Sequence, residues 1–293
     1  RRAAGLGVAP LKPDPDRYEH KYEYCDVLVV GSGPSGLASA LSAAKNGARV
    51  ILAEDKSRFG GSLLMDEVTI GNKKGKDWAD ETIEELKSMS NVTVKSRSQV
   101  FGYYDHNMMV MFERTKDHIE HPSKYTPRQK LWYIRAKEVI ASTGSIERPL
   151  VFGNNDRPGI MLASAAKEYL KVYGVLVGKK PIIFTNNDSA YDLALDFKKN
   201  GINPTVVDVR QNSNSSAVKE AKSLNIDIRF SHAIANTKGY KKVEIATVGK
   251  LNEKKSDYEK LEDISCDCIC VSGNWTPTVH LASQSGNKLK FDQ

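Results

Sequence analysis

The sequence predicts an α/β protein with a parallel central sheet, an antiparallel β insertion and a second, degenerate βαβ domain. Three observations support this. Val27-Leu28-Val29-Val30 is an unbroken apolar run followed at once by a glycine-patterned turn and a helical apolar stripe. Residues 92 to 136 alternate polar and apolar positions as half-buried strands do. A second strand, helix, strand succession begins at Pro181, about 150 residues after the first.

The first 24 residues, rich in Pro, Asp and basic side chains, have no apolar period and are expected to form an extended linker. From Cys25 the apolar run has the pattern of a parallel strand covered on both faces. A helix is expected over 34–46, where Leu37, Ala38, Leu41 and Ala44 recur at helical spacing and Gly47 follows as a stop. Arg49-Val50-Ile51-Leu52-Ala53 is the next strand, joined by the default right-handed crossover.

Further on, 77–89 is expected to form a helix with Trp78, Ile83, Leu86 and Met89 as its apolar stripe. Asp105-His106-Asn107 is the expected turn of a hairpin, and 137–142 returns to the sheet. A turn-rich stretch at 148–159 precedes a helix near 163–172. The second βαβ unit comprises a strand at 182–184, a helix over 188–199 and a strand at 204–209. The expected domains are 1–24 as linker, 25–160 as the first nucleotide-binding domain with its β insertion, 161–265 as a degenerate second domain, and 266–293 returning to the first.

With 293 residues, 40% of them hydrophobic and 27% charged, the chain can bury a substantial core. No apolar stretch approaches the ~20 residues that a spanning helix needs, and no secretory h-region stands at the start, so a cytoplasmic protein is expected. The net charge of +7 comes from scattered lysines without interleaved aromatics, which argues for a solvated surface and against nucleic acid. Cys266, Cys268 and Cys270 alternate, a spacing that puts all three on one strand face. That pattern lacks the paired Cys-x2-4-Cys knuckles of a zinc site, so buried small side chains are expected and no metal. None of the six histidines (His20, His106, His118, His121, His232, His280) sits in a nucleophile elbow, and no catalytic residue is assigned.

Gly31-Ser32-Gly33-Pro34-Ser35-Gly36 fits the G-x-G-x-x-G pattern, and its context makes it specific. It follows a buried strand, opens a helix, and has Glu54 eighteen residues past Gly36 at the end of the second strand. Gly31 makes the tight turn, Gly33 admits a pyrophosphate to the backbone, and Gly36 lets helix and strand approach. The diphosphate then sits at the positive helix end, with Ser35 adding backbone contact. Such a Rossmann unit binds the ADP half of NAD or FAD. Glu54 is expected to accept from ribose hydroxyls and repel a 2′-phosphate, although Lys56 and Arg58 leave NADP open.

After Phe59, the Gly60-Gly61 pair lets backbone run close to the ribose or diphosphate, with Ser62 able to donate; an ordinary flexible loop is the alternative. Val100 lies where backbone can meet the adenine. Ala141-Ser142-Thr143-Gly144 is the turn that returns the chain beside the cofactor in a Rossmann-like two-dinucleotide-binding flavoprotein architecture. At the second unit Thr185-Asn186-Asn187-Asp188-Ser189-Ala190 has no glycine where the pattern needs one, so no dinucleotide is expected there.

The linker RRAAGLGVAPLKPDPDRYE, the loop GSGPSG with its following EDKSRFGGSLL, the segment IASTGSIERPLVFGNNDRPGIMLASAAKEYL, TNNDSAYDLALDF and VSGNWTPTVHLASQSG resemble the alpha subunit of heterotetrameric sarcosine oxidases across essentially the whole chain. TNNDSAY and SGNWTPTVHL are the specific parts. The resemblance implies an enzyme that converts sarcosine and oxygen to glycine and hydrogen peroxide, with the one-carbon unit passing to tetrahydrofolate as 5,10-methylenetetrahydrofolate. It implies NAD held in this region without turnover, FAD in the beta subunit, FMN at the alpha–beta interface, and gamma and delta subunits as further partners. The implied NAD contacts are the loop from Gly31 to Gly36, Glu54, Asp55, Lys56, Ser62 and backbone near Val100. The family's small N-terminal domain, its folate-binding domain and a final sheet segment have no counterpart here, and the chain starts without Met. A piece of a longer chain, inactive by itself, is therefore expected. Two other readings stay open: an autonomous FAD-dependent pyridine-nucleotide oxidoreductase with substrate over Thr143 and Gly144, and an assembly module with a structural nucleotide.

Overall fold

A computed structural model of the chain describes residues 9–254, 256–286 and 288–290. They fall into two compact units, one comprising the residues up to Leu63, Glu67–Thr143 and those from Val279, the other Leu64–Asp66 and Gly144–Thr278.

In the first unit, β1 (Tyr18–Val30), α1 (Pro34–Lys45) and β2 (Val50–Ala53) form the expected βαβ unit. A short hairpin, β3 (Thr69–Ile70) and β4 (Lys73–Lys74), leads into α2 (Gly75–Ser88) and β5 (Val92–Lys95). Then come β6 (Ser98–Tyr104), β7 (Met108–Arg114) and β8 (Gln129–Ala141). The sheet runs β5-β2-β1-β8-β7-β6, its first four strands parallel and its last three antiparallel. Every residue of β2 is buried, as its apolar run requires. α1 packs through Leu37, Ala40 and Ala44 rather than Ala38, which is exposed because it lies about 100° around the helix from Leu37. α2 likewise buries Ala79, Thr82, Ile83 and Leu86, with Trp78 and Met89 at the edges of that face.

Two expectations change here. β8 starts at Gln129, eight residues before the anticipated return, and it pairs with β1 on one side and β7 on the other. The β insertion therefore continues the central sheet. The linker is shorter than 1–24, because Tyr18 to Tyr24 pair residue for residue with Gln129 to Arg135. Tyr18, Tyr22 and Tyr24 alternate with charged residues, a period of two that marks a strand. Tyr22 stacks on Tyr133 with ring centres 5.0 Å apart, and the Arg49 guanidinium lies 4.5 Å over the Tyr24 ring. The hairpin turn falls at 105–107 as expected, with His106 and Asn107 at φ of 58° and 52°.

The second unit contains β9 (Ser145–Glu147), β10 (Ile160–Leu162), α3 (Ala163–Tyr173), β11 (Pro181–Thr185), α4 (Tyr191–Lys199) and β12 (Thr205–Asp208). These are followed by α5 (Ser216–Ser223), β13 (Asp227–Phe230), β14 (His232–Lys238), β15 (Ile245–Leu251), β16 (Tyr258–Ser265), β17 (Cys268–Ser272) and β18 (Trp275–Pro277). Its parallel sheet runs β10-β17-β11-β12-β13, with β14-β15-β16 an antiparallel sheet and β9 paired to β18.

β17 corrects the expectation that 266–293 return to the first domain. All five of its residues are buried and it lies between β10 and β11, as a strand covered on both faces must. Only the stretch from Val279 rejoins the first unit, where α6 (His280–Gln284) buries Leu281 beside Val100 and Met109. The expected boundary at 160 also moves: Glu147, buried, accepts from the Ser164 amide at 2.7 Å, which ties β9 to the start of α3.

The three clustered cysteines do not share one face. Cys268 and Cys270 pack with Ile183 and Ala194, their sulfurs 3.7 Å apart, whereas Cys266 packs with Ile269 and Val271. The strand starts only at Cys268. Before it, the Asp267 carboxylate accepts from the Lys179 and Lys180 amides, both at 2.8 Å, and turns the chain. Among the described residues no helix is long and apolar enough to cross a membrane, and no group of His, Cys, Asp and Glu forms a metal cluster.

Candidate nucleotide site

The three glycines of the first loop do different work. Gly31 sits at φ +95°, and a Cβ there would lie 2.3 Å from the Ser142 carbonyl oxygen. A Cβ on Gly36 would lie 2.0 Å from the Gly31 carbonyl oxygen, so both positions exist for backbone packing. Gly33 is the exception. A Cβ there would meet nothing within 4 Å, so the backbone faces open space, as a diphosphate lying against it requires.

Gly33 is the N-cap of α1, no side chain caps the helix, and its first turn carries no acidic residue. The positive end of the helix dipole is left for an anion. Ser35 is exposed in this first turn. Pro34, which lacks an N–H, starts the helix without losing a hydrogen bond.

Glu54 follows β2 and is 7% exposed. Its Oε2 accepts from the Ser32 amide at 2.9 Å and from the Ser32 hydroxyl, and its Oε1 accepts from the Lys56 amide at 3.0 Å. Burial opposes ionisation, but hydrogen bonds from Asp55, Ser32 and the Lys56 amide outweigh it and hold the Glu54 carboxyl below its ordinary value. Asp55 shows the opposite shift. Its hydrogen bond with Glu54, desolvation and the adjacent negative charge push it up to about 6. The Arg114 guanidinium donates to the Asp55 carbonyl oxygen at 2.9 Å.

The Gly60-Gly61 loop folds over the glycine loop. The Gly60 amide donates to the Ser32 carbonyl oxygen at 3.0 Å, and a Cβ on Gly61 would lie 2.8 Å from the Gly33 Cα. Gly60 and Gly61 adopt φ of +119° and +54°, which their lack of a side chain permits. Ser62 is exposed in the 3-10 turn that follows.

Around Glu54 the start of β6 runs alongside: the Ser98 amide donates to the Glu54 carbonyl oxygen at 2.7 Å, and the Arg97 amide to that of Lys56 at 2.9 Å. Val100, two residues on, buries its side chain with Met109 and Met111, so only its backbone remains for a ligand. The register slips between Val100 and Gly102, which leaves Phe101 as a bulge. At the other end, the Ser142 amide donates to the Val30 carbonyl oxygen at 2.8 Å, fixing the turn that leads to Thr143. Gly144, at φ +65°, opens the second unit, where its carbonyl oxygen accepts from the Thr278 amide at 2.9 Å.

The structure thus brings together Gly31, Gly33, Gly36, Glu54, Asp55, Lys56 and Gly61, with Ser35 and Ser62 at the rim. Ser32 lies within the Gly31–Gly36 loop, but its bonds to Glu54 are not read from the sequence. The available signal was a hydroxyl residue between two glycines upstream of a carboxylate destined for burial.

The matching loop of the second βαβ unit is filled by protein. Asp208, at the end of β12 and fully buried, accepts from the Tyr191 hydroxyl at 2.8 Å and from Arg210 Nη2 at 2.8 Å. Arg210 Nη1 also pairs with Asp188 at 2.8 Å, and Asp188 accepts from the Ser213 hydroxyl at 2.8 Å. The acid at the ribose position and the acid of the loop are both spent on one arginine.

Residues 26–129 match the family described as FAD dependent oxidoreductase. The chain is 41% identical over 289 residues to sarcosine oxidase subunit alpha of Rhizobium meliloti (strain 1021), covering 98% of this chain and 28% of that one. It is 39% identical over 292 residues to the same subunit of Corynebacterium sp. (strain P-1), covering 98% of this chain and 30% of that one. It therefore spans less than a third of these relatives. Among solved structures, thioredoxin reductase of T. acidophilum superposes with a TM-score of 0.68 at 17% identity, covering 91% of this chain and 82% of that one, a likeness of fold.

Proposed function

This chain is related along nearly its whole length to sarcosine oxidase alpha subunits, and from that premise we propose that its first βαβ unit holds NAD as a bound, non-reacting component of such an oxidase. The observation supporting this is the asymmetry between its two βαβ units. The first is open at Gly33 and has an uncapped helix, while the second is filled by Arg210 between Asp188 and Asp208. An autonomous flavin reductase needs a working nicotinamide site beside its flavin site, and the filled loop argues against one.

The residues present fit a dinucleotide. Gly31, Gly33, Ser35 and Gly36 would hold the diphosphate, Glu54 with Asp55 and Lys56 the adenosine ribose, backbone at Val100 the adenine, and Gly61, Ser62 and Thr143 the flanks. Gly144 would position the turn beyond. When bound, a nicotinamide or flavin dinucleotide supplies hydride-transfer capacity. The contribution of this chain is binding and orientation. In the assembled enzyme sarcosine and oxygen would give glycine and hydrogen peroxide, with the one-carbon unit passing to tetrahydrofolate, on FAD, FMN and folate sites outside this chain. Beta, gamma and delta subunits would complete a cytoplasmic heterotetramer.

The test is to purify the protein, denature it, and identify released nucleotide by absorbance and mass spectrometry. NAD without yellow colour is the expected result. Released FAD would overturn the reading in favour of an autonomous flavoprotein, which the FAD-dependent family match keeps as the second possibility.

A further inference from the structure

We propose that Ser32 is a positioning residue that fixes Glu54 for the adenosine ribose and so sets the preference for NAD over its 2′-phosphorylated form; this rests on the NAD reading above. Ser32 is fully buried, and both of its donors, amide and hydroxyl, are aimed at one oxygen of Glu54. The same hydroxyl accepts from the Gly60 amide at 3.3 Å, so one side chain joins the glycine loop, the ribose acid and the Gly60-Gly61 loop. Alanine at position 32 would keep the amide bond to Glu54 and lose both bonds made by the hydroxyl.

A carboxylate offers about four acceptor directions. On Glu54 the Ser32 amide, the Ser32 hydroxyl and the Lys56 amide take three, and the hydrogen bond with Asp55 takes the fourth. A ribose hydroxyl would exchange with Asp55 for that last direction. The Ser32 and Lys56 amides are fixed by the backbone of the loop and strand end, and the Ser32 hydroxyl joins the former on the same oxygen. They hold the negative charge where a 2′-phosphate would have to lie, and the repulsion selects the unphosphorylated ribose.

Loss of the hydroxyl leaves the Glu54 carboxylate to the Ser32 and Lys56 amides alone and loosens its orientation. NAD then loses an ordered partner, while the 2′-phosphorylated nucleotide gains relief from repulsion. Both Kd values are to be measured by calorimetric titration of the intact protein stripped of bound nucleotide. Ser32→Ala is expected to bind NAD roughly tenfold more weakly, the scale of one hydrogen bond to a charged acceptor, with a smaller loss for NADP, so that the NADP-to-NAD Kd ratio falls. Ser32→Thr, which keeps the hydroxyl, should keep the ratio. In a Glu54→Gln background the effect of Ser32→Ala should shrink, because Ser32 acts through Glu54. Should Ser32→Ala not fold, Ser32→Cys, a poor donor of similar size, takes its place. An equal loss for both nucleotides, or an undiminished effect in the Glu54→Gln background, overturns the positioning role while leaving the NAD reading intact. A wild-type protein that binds neither nucleotide overturns both.

Discussion

Gly36 lies so close to Gly31 that a Cβ on it would stand 2.0 Å from the Gly31 carbonyl oxygen, while Gly33, between them, has nothing within 4 Å of the same imagined atom. The motif thus separates into a packing pair and a ligand-facing glycine, and substitutions should separate them experimentally. Gly36→Ala forces backbone apart and is expected to destabilise the protein by about 2–3 kcal/mol or more, an overpacking effect, read as a lower denaturation midpoint. Gly33→Val should leave the midpoint nearly unchanged and abolish nucleotide retention. A folded Gly33→Val protein that still carries nucleotide would move the site elsewhere.

Glu54→Ala is expected to weaken NAD binding by about 1–3 kcal/mol, the range for leaving buried polar groups unpaired. It also strips the partner from the Ser32 amide and hydroxyl, both buried, so a stability loss should accompany the affinity loss. Isothermal titration and a urea melt on the same preparation give the two quantities. Full affinity in the variant would remove Glu54 from the site.

The opposite shifts of Glu54 and Asp55 make stability depend on pH in a defined direction. Folding raises Asp55 from 3.8 to about 6, so the folded state binds the extra proton between those values. Its stabilisation is complete below about 3.8 and is lost as pH rises through about 6. The contribution of Glu54, whose value is lowered from 4.5, runs the other way and is lost only as pH falls below that range. Between about 4.5 and 6, Asp55 is therefore the member of the pair that sets the slope, with Lys56 and Arg114 the cations that oppose its rise. Asp55→Asn should flatten the fall in denaturation midpoint across that window relative to wild type. Superimposable pH profiles would mean that the acid pair does not form in solution.

The legible and illegible parts of this fold differ for physical reasons. Gly31, Gly33, Gly36 and Glu54 were readable because a tight turn, an open backbone and a terminal carboxylate each demand one residue type at a fixed spacing. The linker was overextended because the outer face of β1 carries Tyr18, Tyr22 and Tyr24 among charges, and exposed alternation resembles polar linker composition. β17 was misplaced because strand order in a parallel sheet is a long-range fact: Cys268 pairs with Pro181, 87 residues away, and no local pattern records that. Cys266 falls off the face of Cys268 because period-two spacing holds only along an unbroken strand, and Asp267 breaks it. The role of Ser32 is not legible in the sequence, because the variable positions of a glycine motif look free until the fold shows what they touch.

The buried thiols give a check on the cysteine reading. Cys25 is pushed up to about 12 and Cys266 to about 11, chiefly by burial, and Cys270 well upward by its bond with Cys268 and by burial. Thiolates are the reactive and metal-binding form. The native protein is expected to leave all four thiols unlabelled by a water-soluble disulfide reagent at pH 8 and to label all four once unfolded in guanidinium, with a chelator leaving the denaturation midpoint unchanged. Rapid native labelling at Cys268 or Cys270, or a midpoint lowered by the chelator, would overturn the reading of these cysteines as buried, metal-free side chains.

Arg210 bridges the two acids of the second βαβ unit, Asp188 and Asp208. Its guanidinium neutralises Asp208, which is fully buried, and Asp188 at the loop. Arg210→Ala leaves the Asp208 carboxylate with the Tyr191 hydroxyl as a remaining donor, and an uncompensated buried charge is costly. A loss of about 2–4 kcal/mol in stability is expected, below the upper end for buried pairs because Arg210 is itself partly exposed. Arg210→Ala combined with Asp208→Asn removes both charges and should recover part of that loss, which distinguishes an unpaired charge from lost packing. Neither variant should raise nucleotide stoichiometry, since Asn186, Asn187 and Asp188 still occupy the loop where glycine backbone is needed. A second equivalent of bound dinucleotide in Arg210→Ala would show that the arginine alone had closed a competent site, and the asymmetry between the two units would then be a matter of one side chain.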